Sequence, residues 1–102
     1  MIPINKVKEL ISKHEIIEKE LSSGEVDKKS FADKSKEYSN LNEIIDHAKE
    51  YCLFKNNKME LEKIISDEKN DNEIKDLAKI ELNELIIKNE DNEKKIKLFL
   101  LP

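Results

Sequence analysis

Glycine is almost absent from this chain of 102 residues, since Gly24 is the only one. Proline occurs twice and tryptophan not at all. A β-rich domain of this size needs several tight turns, which recruit glycine, proline and asparagine. The composition therefore predicts an all-α fold. A single glycine also excludes the glycine-rich loops that cradle phosphate groups.

Arginine is absent, and cysteine and long apolar runs are scarce as well. Cys52 is the only cysteine, which excludes an intrachain disulfide and fits a reducing, cytoplasmic compartment. No apolar run approaches the roughly 20 residues that span a bilayer, and the first residues lack the pattern of a signal peptide. With 23 acidic and 19 basic residues the net charge is −4, which argues against a free-standing nucleic-acid-binding protein.

Apolar residues at helical spacing predict a first helix over Ile4–Ser22, with Asn5 as its cap and Gly24 as its stop. A second helix is predicted from the N-cap Asp27 to Ile65, about 40 residues or about 60 Å long. Its apolar residues follow a heptad typical of a coiled coil. They are Phe31, Tyr38, Leu41, Ile45, Ala48, Cys52 and Met59.

A polar link over Ser66–Asn72 separates this helix from a third one. Asp71 or Asn70 is expected to cap the third helix, which must end before Leu101 because a residue that precedes proline disfavours helical angles. Asn89 and Asn92 interrupt its apolar stripe, which predicts a wet or polar stretch of the core.

The weakest stretch of the second helix is Asn56–Asn57, where a break is possible. Short links favour antiparallel neighbours. We therefore expect three antiparallel helices in one domain over residues 1–102, the second and third forming a long coiled-coil-like hairpin. Such a fold is a rod with a thin core.

Candidate chemical sites are weak. His14 with Glu18, and Glu43 with His47, lie at i and i+4, but a metal site needs three or four ligands. Cys52 falls on the apolar face, where it acts as a small hydrophobic residue. We therefore predict no catalytic residue, no cofactor and no metal.

Several short segments of the chain form a distinctive ordered set. They are Ser35–Tyr38 with Leu41, Glu60–Asp67, Asp71–Ile74, Leu77–Ala78, Glu81–Leu82, Glu84–Leu85 and Ile96–Pro102. Their order and spacing resemble the bacterial peptide chain release factor 1 family of class I release factors over roughly residues 7–102. The most distinctive segment is the last, which is similar to the Leu-Leu-Leu-Pro sequence that leads into the second domain of that family.

The resemblance implies the N-terminal, non-catalytic domain of a factor that terminates translation on the ribosome at UAA and UAG. The Gly-Gly-Gln motif and the codon-reading tripeptide of the family are absent. Asn72 departs from the family, which often has proline there. The implied partners are the stalk base and GTPase-associated region of the large ribosomal subunit and the class II GTP-binding release factor.

The Ser66–Asn72 link lies farthest from the point where the chain would enter the second domain. We therefore expect it to contact the stalk base, through Asp67, Glu68, Lys69 and Asn70. The alternative is an exposed loop without a partner. A structural coiled-coil or adaptor protein that self-associates through the heptad of residues 31–59 is the competing interpretation of the whole chain.

Overall fold

Helices account for almost all of the chain in the computed structural model, which describes residues 1–102. They are α1 (Ile4–Ser23), α2 (Lys28–Asn42), α3 (Ile45–Ser66) and α4 (Asn72–Leu100), and there is no strand. The predicted all-α class is confirmed. The predicted count of three helices is wrong, because the expected second helix is two helices, α2 and α3.

Three of the predicted helix boundaries are defined by the expected residues. Gly24 ends α1 in the left-handed conformation, with φ 72°, which glycine adopts without steric cost. Asp27 and Asp71 cap α2 and α4, because each side chain accepts a hydrogen bond from the backbone N–H three residues further on, at 2.8 and 2.9 Å. α1 begins at Ile4 as predicted, but the predicted cap Asn5 is wrong, because Pro3 occupies the N-cap position and Asn5 lies inside the helix.

The break between α2 and α3 falls at Glu43 and Ile44, where no glycine or proline signals it. The N–H groups of these two residues bond to carbonyl oxygens three residues back, at 3.2 and 3.0 Å, which tightens the end of α2. Beside the break, Oδ1 of Asn42 accepts a hydrogen bond of 2.6 Å from Nε2 of His14 in α1. Leu41, Ile44 and Ile45 are all buried around this point, so tertiary packing accounts for the break.

The possible break at Asn56–Asn57 does not occur, because α3 runs through both residues. Both side chains are exposed, and the lower helix propensity of asparagine costs at most about 0.7 kcal/mol per residue. The contact of α3 with α4, the most extensive between any two helices of the chain, outweighs that cost. The predicted heptad is thus interrupted near its middle, at residues 43–44, and not at its end.

Apart from Ala78, the buried residues lie in the chain start, α1, the end of α2, the α2–α3 break, the start of α3 and the end of α4. Only 12 of 102 residues are buried, which agrees with the expected thin core. In α3 no residue after Tyr51 is buried. The main cluster joins the chain start, α1, the start of α3 and the end of α4. Its members are Ile2, Val7, Ile44, Ala48, Tyr51 and Ile96.

The first residues of the chain are held in this cluster by polar contacts as well. The backbone N–H of Ile2 donates a hydrogen bond of 3.0 Å to the hydroxyl of Tyr51. The amine of Met1 lies 2.7 Å from Oε1 of Glu93. That amine, and then Lys97, lower the pKa of the Glu93 carboxyl below its usual value.

The molecule measures 60 × 28 × 19 Å, so it is elongated as expected. α3 and α4 share the most extensive helix contact, and α1 packs on both α2 and α3. Ion pairs from Lys34 to Glu20 and from Lys13 to Glu37 join α2 to α1. None of the helices has the length and hydrophobicity required to cross a membrane.

Candidate functional site

The link between α3 and α4 is a compact turn held by its own polar groups. Oδ1 of Asp67 accepts a hydrogen bond of 2.9 Å from the backbone N–H of Lys69. The backbone N–H of Asn70 bonds to the carbonyl oxygen of Asp67 at 3.1 Å. The side-chain amide of Asn70 donates to the carbonyl oxygen of Ile64 at 3.0 Å. The last of these bonds satisfies a carbonyl that the end of α3 leaves free, and the other two hold the backbone between the helices.

The four residues predicted to bind a partner lie together in this turn but differ in what they offer. Asp67 and Asn70 stabilise the turn, and Asn70 is half-buried. Glu68 and Lys69 are exposed, and neither side chain forms an ion pair. Glu68 and Lys69 are therefore the free charges of the turn.

His14, one of the two candidate metal ligands on α1, is held by structural contacts. Its Nε2 donates to Asn42, its Nδ1 lies 3.8 Å from Oε2 of Glu18, and its ring stacks on that of Tyr38 with centroids 4.8 Å apart. His14 as a whole residue is 8% exposed. This histidine fixes the end of α2 against α1.

His47 does not pair with Glu43, its candidate partner. Its Nδ1 donates a hydrogen bond of 2.8 Å to Oδ1 of Asn92 in α4. Nδ2 of Asn92 donates in turn to Oε2 of Glu50, at 3.0 Å. The polar interruption of the α4 stripe is therefore confirmed as a bonded network at Asn92, and no group of three His, Cys, Asp or Glu side chains is arranged to hold a metal ion.

Cys52 packs against the main cluster as a half-buried side chain. Burial raises the pKa of its thiol above the usual value, against a smaller opposing effect of Lys8. A raised pKa keeps the sulfur protonated, whereas nucleophilic chemistry needs the thiolate.

Comparison with known families and proteins gives a consistent result. The family model described as PCRF domain matches residues 10–102, which include the whole of α2, α3, α4 and the link. The chain belongs to the PCRF domain family. No solved structure matches it significantly.

Three curated relatives of this PCRF domain share one name. The chain is 61% identical to Peptide chain release factor 1 of Pelagibacter ubique over all 102 residues, which are 29% of that protein. It is 34% identical over 101 residues to the protein of the same name from Orientia tsutsugamushi (strain Boryong), covering 99% of this chain and 27% of that protein. The Wolbachia pipientis protein of that name is 40% identical over 81 residues, which are 78% of this chain and 22% of that protein.

The PCRF domain thus spans less than a third of the length of the curated relatives it matches, and in the Pelagibacter protein the match is to the N-terminal part. The resemblance to this family that the sequence predicted is confirmed. Sequence reasoning missed the network of His47, Glu50 and Asn92. Asn92 on an apolar stripe indicates a polar contact in the core. The sequence does not show which residues make that contact, because His47 and Glu50 lie more than 40 residues away in the chain.

Proposed function

We propose that this chain is the N-terminal, non-catalytic domain of a cytoplasmic peptide chain release factor that terminates translation at UAA and UAG. The observation that carries the proposal is 61% identity to a release factor 1 along the whole chain. The match to the PCRF family over residues 10–102 agrees with it.

A non-catalytic role fits the side chains of the chain. Cys52 is kept protonated by burial, and both histidines engage asparagine side chains. Peptidyl-tRNA hydrolysis would then depend on the Gly-Gly-Gln motif that the resemblance assigns to another part of the factor. Domains joined in one chain gain effective concentration, so a non-catalytic domain can contribute binding without chemistry.

We further propose that α3 and α4 form an antiparallel, coiled-coil-like hairpin whose tip is the 66–72 link. Two contacts support this arrangement. His47, near the start of α3, bonds to Asn92, near the end of α4. Asn70 bonds to Ile64, at the end of α3. The hairpin would present the tip at the end of the rod, away from the main cluster.

The partner proposed for the tip is the stalk base of the large ribosomal subunit, within the GTPase-associated region. Glu68 and Lys69 would make the contact, since their charges are exposed and unpaired. Asp67 and Asn70 would hold the turn in shape. The class II GTP-binding release factor is a second proposed partner, acting after the factor is bound.

A charge swap in the full-length factor tests the tip. Glu68→Lys with Lys69→Glu leaves the net charge unchanged. It should weaken binding to ribosomes that hold UAA in the decoding site by about three- to tenfold, since exposed charge pairs contribute up to about 1 kcal/mol each. The matched control is Lys8→Glu with Glu9→Lys on α1, which should bind as the native factor does. If the tip variant and the α1 control variant bound these ribosomes with equal affinity, the proposed tip contact would be contradicted.

Termination itself is tested by measuring peptide release on ribosomes programmed with each stop codon. The full-length factor should release peptide at UAA and UAG and not at UGA. Release at all three codons or at none would contradict the proposal. The competing interpretation, self-association through residues 31–59, has less support because the heptad is broken at residues 43–44 and Ile45 is buried within the monomer.

A further inference from the structure

A second surface of the molecule, distinct from the tip, is an open groove along the α3–α4 contact. Apolar side chains form its floor, with Phe54, Leu61 and Ile64 contributed by α3 and Leu85 by α4. All four are half-buried. Leu53 lines the same groove and is 53% exposed. The groove is therefore an apolar strip that no element of this chain covers.

The rim of this groove is acidic. Its lining includes the four glutamates Glu50, Glu60, Glu81 and Glu84 and one cation, Lys88. None of these five side chains forms an ion pair within the chain. Outside the lining, the Lys58 ammonium lies 6.0 Å from the centroid of the Phe54 ring. Four carboxylates along an apolar strip repel one another and attract a cationic partner.

The floor also contains a hydrogen-bond acceptor that lacks a donor. Oδ1 of Asn89 is buried without a partner, and Asn89 lines the groove. Most buried polar atoms in proteins are satisfied. Because this oxygen is buried, an occupant of the groove could not reach it without movement of the side chain, so the rim carboxylates alone favour an occupant rich in N–H donors.

We propose that this groove, named here the glutamate groove, binds a basic amphipathic α-helix of a partner protein. The part of α3 that lines the groove runs from Glu50 to Ile64, a length of about 21 Å at 1.5 Å per residue. That length accommodates about four turns of helix. A helix with apolar anchors at i, i+3 or i+4 and i+7 fits such a strip, and flanking lysine or arginine side chains meet the rim.

The charge of the rim favours a basic helix over nucleic acid, an anionic membrane or a second copy of this chain. Nucleic acid and anionic membranes carry negative charge, which the rim carboxylates repel. A second copy of this chain has a net charge of −4, so it complements an acidic rim poorly. The inference does not depend on the proposed function, because it rests on the groove alone.

The test uses designed peptides of about four helical turns, or roughly 15 residues. One has leucine on one face and lysine elsewhere, and its twin has glutamate in place of lysine. Each is labelled and titrated with the 102-residue chain, and binding is followed by fluorescence anisotropy. The basic peptide should bind with saturation and the acidic twin should not. Equal binding of both, or of neither, overturns the proposal.

Matched charge variants separate the groove from non-specific attraction. Glu81→Lys with Glu84→Lys should weaken binding of the basic peptide by about tenfold, equivalent to about 1.4 kcal/mol. Asp76→Lys with Glu90→Lys makes the same change in net charge on α4 outside the groove, and should leave the affinity nearly unchanged. Equal losses in the two variants would overturn the proposal.

A matched pair of polar substitutions tests the floor. Leu53→Gln should weaken binding of the basic peptide, whereas Ile87→Gln, an exposed position on α4 outside the groove, should not. Both native side chains are more than half exposed, so neither change should impair folding, which circular dichroism verifies. Equal effects of the two substitutions contradict the apolar anchor. A dimer in sedimentation equilibrium that Leu53→Gln abolishes would replace the proposed helix with a second copy.

Discussion

His47 donates a hydrogen bond of 2.8 Å from its Nδ1 to Oδ1 of Asn92, across the contact between α3 and α4. The amide nitrogen of Asn92 donates to Oε2 of Glu50 at 3.0 Å. Asn92 is 2% exposed. Because both ends of its amide are bonded, this asparagine joins the two longest helices at a fixed register.

Replacing Asn92 by alanine should lower the free energy of unfolding by about 1 to 3 kcal/mol, since it removes two hydrogen bonds and leaves the half-buried His47 N–H without its acceptor. Urea denaturation measures the change. Asn83→Ala, at an exposed position of α4, is the control and should have a neutral or slightly stabilising effect because alanine has the higher helix propensity. Equal changes in both variants would show that the network has no stabilising role.

Asn89 should behave in the opposite way, because its buried Oδ1 has no partner. Asn89→Leu should raise the free energy of unfolding by about 1 kcal/mol, by removing an unsatisfied acceptor and adding apolar contact. Asn83→Leu makes the same chemical change at an exposed position and measures the helix-propensity part alone. Equal stabilisation of Asn89→Leu and Asn83→Leu in urea denaturation would show that the unsatisfied acceptor of Asn89 does not destabilise the fold.

At Gly24 there is space for a side chain, but the backbone angle there is unfavourable for any residue other than glycine. A Cβ at this position would meet nothing within 4 Å, yet φ is 72°. Gly24→Ala should therefore lower the free energy of unfolding by about 1 kcal/mol through backbone strain alone. Gly24→Asn should cost less, since asparagine adopts left-handed angles more readily. Thermal unfolding that ranks alanine at or above asparagine would contradict this explanation.

Acid should weaken the start of α2 through Asp27. Hydrogen bonds from the backbone and then the side chain of Ser30 lower the pKa of this carboxyl. The stabilisation is therefore present above the usual aspartate pKa of about 3.9 and is lost as the pH falls through the lowered value. Asp27→Asn keeps a capping oxygen that does not titrate. The stability difference between native chain and variant should shrink on acidification, and a difference independent of pH would contradict the assignment.

The sequence predicts the parts of this fold that local chemistry determines. Gly24, Asp27 and Asp71 end or begin helices through their own side chains or backbone freedom, so their positions could be predicted without tertiary structure. The link at 66–72 follows from the same reasoning.

The break at Glu43–Ile44 could not be predicted in this way. It depends on Asn42 bonding to His14 in α1 and on the burial of Ile44, and both contacts exist only in the folded chain. The glutamate groove was likewise beyond local reasoning. Glu60 and Glu84 are separate charged residues in the sequence, and only the packing of α3 on α4 places them on one rim.

The measurement that tests the central proposal most directly compares a full-length factor with one that lacks residues 1–102. Peptide release from ribosomes with UAA in the decoding site is followed at increasing factor concentration. A non-catalytic domain predicts an unchanged release rate at saturation and a higher factor concentration at half-maximal rate. A lower rate at saturation, with the half-maximal concentration unchanged, would contradict the proposal that this domain contributes binding and no catalysis.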